Sequence, residues 1–282
     1  MTNALSIATW LNGHFLAPQA PAVRAEDPGF LLGLAVFETF LCEAGKVYYV
    51  DEHLARLAGA AQALGIDFDQ DAGRIPEVAR QGLAEVANEV GVGNAALRLT
   101  LTPGAPGAGA QVLITTSSWT PPASKGVLVA ISKATKVPGL GLENVKTTGR
   151  ARNVLAREEA QGRGAYEALL CTEDGDLSEG TVSNIFLVLD GILCTPPLAR
   201  GCLPGIMRSK VLLLANELGM PVQERRIEAS ELEGASGAFL TNSLVRILPI
   251  LGVVGLPVEF PPGGEAWTRR LTGALKEWEA AS

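Results

Sequence analysis

Residues 165–195 read AYEALLCTEDGDLSEGTVSNIFLVLDGILCT, and this stretch decides the fold class. Two apolar runs, 165–171 and 181–188, are separated by a turn at Asp174-Gly175. A second turn at Asp190-Gly191 leads into a third run, 192–195. Apolar runs joined by Asp-Gly turns predict antiparallel hairpins, so a sheet of the dinucleotide-binding kind is not expected here.

Outward from this stretch the chain alternates helical and strand signals. Before it, the strand 127–131 leads to a loop carrying Lys146, then a helix over about 151–161 that Gly162 and Gly164 end. After it, Gly205 opens a helix running to Leu218, and another closes the chain at 267–279. Nearer the start, KVYYV (46–50) reads as a strand. Leu54, Leu57, Ala58, Ala61 and Leu64 then keep helical spacing as far as Gly65, and a second helix is expected over 75–90. Leu97, Leu99 and Leu101 alternate with Arg98, Thr100 and Thr102, which predicts a half-buried strand; residues 111–116 return antiparallel to it. The Ser/Thr/Pro-rich segment TSSWTPPAS (116–124) reads as a connection. The expected organisation is a small mixed α/β domain over 1–118, a linker over 119–126 and a larger domain over 127–282.

Composition narrows the function. Of the 282 residues 47% are hydrophobic and 19% charged, enough apolar material for a sizeable core. A net charge of −7 without a Lys/Arg cluster disfavours nucleic acid and acidic membranes as partners. No apolar run approaches a membrane-spanning length, the first residues lack a signal-peptide pattern, and the four cysteines form no framework. A cytoplasmic location is the expectation. A Walker loop and a G-x-S-x-G motif are absent, and His14 and His53 are the sole histidines. Asp51-Glu52-His53 cannot converge on a metal from one helix start and reads as an acidic first turn, so no metal is expected.

Three features fit an anion site beside a reactive group. Gly205 precedes a helix whose first N–H groups have no intrahelical acceptor. Thr241-Asn242-Ser243 places hydroxyls at the end of an apolar strand, and Arg56 stands one position off its helix's apolar stripe. Each has a plainer explanation: a hydrated helix start, a polar strand exit and a solvated arginine. Lysine is scarce, seven against sixteen arginines, and Lys146 lies in a loop while Lys133 and Lys136 stand in polar context.

The order of six motifs resembles fold-type IV pyridoxal-phosphate enzymes, the class IV aminotransferase superfamily. They are GFLLGLAVFET (29–39), HLAR (53–56), Lys146 before NVLAREEA (153–160), SEGTVSNIF (178–186), LPGIMR (203–208) and LTNS (240–243). The resemblance implies a mixed α/β fold of two domains, the larger a pseudo-barrel with antiparallel hairpins, and a homodimer. It implies pyridoxal 5′-phosphate on Lys146 as a Schiff base, with the same lysine then moving a proton at the substrate α-carbon. Glu179 would pair with the pyridine nitrogen, Asn184 would support the ring hydroxyl side and Leu203 would press on the ring. Arg56, the N–H groups of Ile206 and Met207, and Ser243 would hold the phosphate. Relatives often carry threonine at the Met207 position.

Departures bear on the reaction. Gly33-Leu34-Ala35 stands where many relatives read G-D-G, and Thr102-Pro103-Gly104 where lyases and D-amino-acid enzymes read T-R-G. Arg98 falls where branched-chain enzymes carry an arginine, and Ala151 where they carry tyrosine. Phe37-Glu38-Thr39, Asn242-Ser243-Leu244 and Gly205-Ile206-Met207-Arg208 look most like aminodeoxychorismate lyase, which releases pyruvate to leave 4-aminobenzoate for folate. Thr39 would then be catalytic, and Phe37, Arg98 and Leu244 would touch a small amino or keto acid substrate. The alternatives are D-amino-acid or branched-chain transamination and, from another class, a non-catalytic binding relative of the same fold.

Overall fold

A computed structural model describes residues 8–17, 19–67, 74–122, 125–139, 141–262 and 264–281. The chain forms two compact units, one of Met1–Pro121 with Val145–Arg150, the other of Pro122–Asn144 with Ala151–Ser282. Two residues of the expected linker, 123 and 124, lie outside the described ones. One expectation is corrected: the segment carrying Lys146 belongs to the first unit and not to the larger domain. The cause is backbone pairing. Phe37 N–H donates to the Lys146 carbonyl at 3.0 Å, Thr148 N–H donates to the Ala35 carbonyl at 2.8 Å, and Val36 bridges Thr147.

The first unit contains β1 (Thr9–Leu11), β2 (His14–Phe15), α1 (Pro28–Leu31), β3 (Val36–Glu43), β4 (Lys46–Val47), α2 (Val50–Ala63), α3 (Arg74–Val90), β5 (Asn94–Thr102) and β6 (Gln111–Ser118). Its sheet runs β2-β1-β6-β5-β3-β4, antiparallel throughout. The strand expected over 46–50 is cut to two residues because Val50 already begins α2. Side chains of β3 alternate across the sheet. Val36, Phe40 and Cys42 enter a core with Leu54, Leu57 and Leu83 from the helices. Glu38 shares that face; Phe37 and Thr39 share the other.

The second unit contains β7 (Val127–Lys136), α4 (Ala151–Gly162), β8 (Glu167–Thr172), β9 (Leu177–Gly180), β10 (Asn184–Leu189), β11 (Ile192–Thr195), α5 (Ile206–Glu217), β12 (Val222–Glu224), β13 (Gly237–Asn242), β14 (Arg246–Val253) and α6 (Ala266–Ala281). Its eight strands follow the order β12-β11-β10-β13-β14-β7-β8-β9. The hairpins β8–β9 and β10–β11 are antiparallel as the Asp-Gly turns require. The pairs β7–β8, β14–β7 and β11–β12 are parallel, so the sheet is mixed. Every residue of β8 and β10 is buried, the condition of strands covered on both faces.

Glu167, at the start of β8, is fully buried, and among the described residues no cation hydrogen-bonds to it. Its carboxylate instead accepts from the N–H groups of Ala168 (2.9 Å), Thr181 (3.2 Å) and Val182 (3.2 Å), from Ser183 Oγ (3.0 Å) and from Thr181 Oγ1. Five donors offset the desolvation of one charge and fix the corner between Glu179 and Asn184.

Candidate active site

In the first unit three of the expected residues share one aromatic ring. Arg98 Cζ lies 3.6 Å from the Phe37 ring centroid and Lys146 Nζ 4.6 Å from it. Thr39 is directly opposite Arg98 across the β3–β5 pairing and projects to the same side. Burial, and secondarily the charge of Arg150, lower the Arg98 pKa from its ordinary value. Among the described residues no carboxylate pairs with Arg98. A desolvated cation stacked on an aromatic face is suited to an incoming anion.

On the helix-covered face Glu38 is fully buried and holds two bases of α2. Arg56 gives it Nε at 2.7 Å and a terminal nitrogen at 2.6 Å, and His53 Nδ1 lies 2.7 Å from it. Burial raises the Glu38 pKa, but the bonds from Arg56 and His53 outweigh that and bring it to about 2. Burial also lowers the His53 pKa, so the ring is neutral near pH 7 and donates its Nδ1 proton to the carboxylate. The clamp was not anticipated. Its signal was available: positions 53 and 56 are one helical turn apart and share a face.

In the second unit Leu203 joins two of the expected residues through its backbone. Its N–H donates to Glu179 Oε2 at 2.7 Å, and its carbonyl accepts from Asn184 Nδ2 at 2.8 Å. The other Glu179 oxygen, Oε1, lies 2.5 Å from Lys136 Nζ. Lys136 is therefore no solvated strand-end lysine; it is buried, 8% exposed, at the end of β7.

Ile206 and Met207 are the first two residues of α5, both buried. Gly205 precedes them without a side-chain cap. A Cβ at Gly205 would come within 2.0 Å of Asn184 Oδ1, so no capping side chain fits there. At the end of β13, Asn242 Oδ1 accepts from the N–H groups of Leu244 and Val245, each at 2.9 Å, and fixes the turn that presents Ser243 and Leu244. Thr241 Oγ1 is buried and has no hydrogen-bond partner among the described residues.

Residues 35–253, more than half of the chain, match the profile of amino-transferase class IV. The chain belongs to this family. A putative branched-chain-amino-acid aminotransferase of Methanocaldococcus jannaschii is 30% identical over 281 residues, 95% of each chain. The aminodeoxychorismate lyase of Bacillus subtilis is 29% identical over 85% of this chain and 84% of its own. In structure, a branched-chain aminotransferase of Thermoproteus uzoniensis solved with norvaline superposes with a TM-score of 0.84 at 26% identity, covering 96% of this chain and 94% of that one. The expected mixed α/β fold of fold type IV is borne out, as is the expectation of an enzyme.

Class IV aminotransferases use pyridoxal phosphate, and the residues present suit it. The uncapped start of α5 and the unpartnered Thr241 hydroxyl are donors in search of an anion. Glu179, a carboxylate with roughly four acceptor positions, uses two of them on Lys136 and Leu203 and can take another donor. The loop arginine of lyases has no counterpart. Thr102 Oγ1 donates to Asp27 at 2.5 Å and accepts from Gly104 N–H at 3.1 Å, a purely structural use of that loop. Among the described residues no helix is long and apolar enough to cross a membrane.

Proposed function

We propose that this chain is a pyridoxal-phosphate-dependent aminotransferase in which Arg98 anchors a second carboxylate on one of its two substrates. One observation carries this reading: Arg98 is half-buried, stacked on Phe37 and unpaired with any described carboxylate, and Lys146 shares the same ring. A dicarboxylic partner of the glutamate/2-oxoglutarate kind would bring a second carboxylate to neutralise that cation.

When bound, the cofactor supplies an electron sink for the substrate α-carbon. The chain's own groups have separable tasks. Lys146 Nζ would take the proton from the substrate α-carbon and deliver it to the cofactor side, and Glu179 would accept a hydrogen bond from the pyridine nitrogen. Arg56, the N–H groups of Ile206 and Met207, and Ser243 hold the phosphate. Asn184 and Leu203 seat the ring, and Phe37 with Leu244 bounds the substrate.

Arg98→Met is expected to raise KM for a dicarboxylic substrate roughly tenfold to a hundredfold, the cost of one buried charged hydrogen-bond set, with kcat changed far less. Steady-state kinetics with glutamate and with alanine as donors read this. An equal rise for both donors removes Arg98 from the second carboxylate.

The lyase, which the sequence motifs put first, becomes the second reading, favoured by Phe37-Glu38-Thr39 and by Thr39 lying beside Arg98 on the Phe37 face. Pyruvate released from aminodeoxychorismate without an added keto acid would establish it; strict dependence on a keto-acid acceptor establishes the transaminase.

The active protein is read as a homodimer. Phe30, Leu31 and Leu32 are 69%, 61% and 71% exposed in one stretch of the first unit, an apolar cluster suited to a two-fold contact. Sedimentation is expected to give twice the 29.4 kDa chain mass. Leu31→Glu with Leu32→Glu is expected to weaken association by at least about a hundredfold, since each buried leucine contributes about 2 kcal/mol. A wild-type monomer ends this reading.

A further inference from the structure

We infer that Lys136 is a positioning residue for Glu179, orienting and charge-balancing the carboxylate that meets the cofactor ring. The inference rests on the pyridoxal-phosphate reading above and adds a residue to it. Both side chains are buried, Glu179 at 3% and Lys136 at 8% exposure, so this is not a screened surface pair.

The arrangement fixes the carboxylate from two directions. Lys136 Nζ holds Oε1 at 2.5 Å and the Leu203 N–H holds Oε2 at 2.7 Å. A carboxylate tied at each oxygen cannot rotate about its last bond, so the direction of its remaining acceptor positions is set. The ammonium is itself tied down. It donates to the Gly201 carbonyl and, at 3.4 Å, to the Glu143 carbonyl, which uses all three of its protons. Gly201 has φ of +78° and no room on one side, where a Cβ would meet Glu143 Cβ at 3.2 Å. Gly201 closes the short turn Leu198–Arg200 in this left-handed conformation, and its carbonyl accepts from Lys136.

A lysine kept only for stability would need one acid partner. This one recruits two carbonyls from separate loops and points its charge at the single acid with a role at the ring. Without the ammonium, Glu179 is a buried carboxylate held on one side alone, free to turn from the ring nitrogen. The consequence is weaker cofactor binding and an altered ring environment.

The test measures pyridoxal phosphate itself. Wild type, Lys136→Met, Lys136→Gln and Lys136→Arg are stripped of cofactor, and the dissociation constant and visible absorption band are recorded on re-addition. Lys136→Met and Lys136→Gln are expected to bind about ten- to a hundredfold more weakly with a displaced band. Lys136→Arg, which keeps the charge, is expected to restore the band and most of the affinity. In a Glu179→Gln background the loss on Lys136→Met is expected to vanish, because the carboxylate it serves is gone.

Should Lys136→Met fail to fold, the Gln variant carries the same comparison. Lys136 variants with a lowered unfolding midpoint but wild-type affinity and band would overturn the inference and leave the cofactor reading intact. A wild-type chain that takes up no pyridoxal phosphate defeats both.

Discussion

Lys146→Ala is expected to abolish attachment of pyridoxal phosphate by borohydride and to lower turnover by roughly 10²- to 10⁴-fold or more, the usual contribution of a positioned proton-transfer group. The fold should survive. The segment around Lys146 is held by backbone bonds, Phe37 N–H to the Lys146 carbonyl and Thr148 N–H to the Ala35 carbonyl, which a side-chain truncation leaves in place. The Nζ packs over the Phe37 ring, and its removal costs that contact. Circular dichroism and the unfolding midpoint should stay near wild type while the visible band disappears. Retention of turnover within tenfold would move the reactive amine to another lysine, and Lys136 would be the next to replace.

The second large effect concerns Glu38. Glu38→Ala leaves Arg56 and His53 in a buried pocket without the acceptor that both address, and removing one partner of a buried pair costs about 3–5 kcal/mol. Denaturant unfolding with cofactor absent should show this loss directly. Cofactor affinity should fall as well, because Arg56 loses the carboxylate that orients its fork.

Acid acts on the same cluster. The Glu38 carboxyl is lowered from 4.5 to about 2 in the fold. Its contribution, about 3 kcal/mol, is complete above pH 4.5 and is lost as pH falls toward 2, because the unfolded chain takes up the proton first. His53, lowered by burial, works in the same sense starting from pH 6.5. Stability should therefore decline in acid between these limits, and Glu38→Gln should flatten the lower part of the curve. An unchanged pH profile in that variant would remove Glu38 from the account.

Much of the architecture was legible in the sequence. The hairpins of residues 165–195 were readable because Asp-Gly turns and apolar runs are local signals. The parallel pairings were not, since strands buried on both faces lose their period of two and name no partner. Site residues divide in the same way. Glu179, Asn184 and Ser243 sit in contiguous motifs. Lys136 and the Glu38 clamp are assembled from β7 with β9, and from β3 with α2, which only the tertiary fold brings together. Arg98 was visible as a position, but its isolation from every described carboxylate was not.

The return of Val145–Arg150 to the first unit bears on biosynthesis. The β-sheet of that unit is encoded by residue 118, yet the N–H of Phe37 and the carbonyl of Ala35 find their partners only at Lys146 and Thr148. On the ribosome the first unit is therefore nearly complete but open for about thirty residues of further elongation, on the order of a few seconds at usual rates. The segment that carries Lys146, the proposed reactive lysine, is the last piece that unit receives. A nascent chain arrested before it would have its scaffold without its amine.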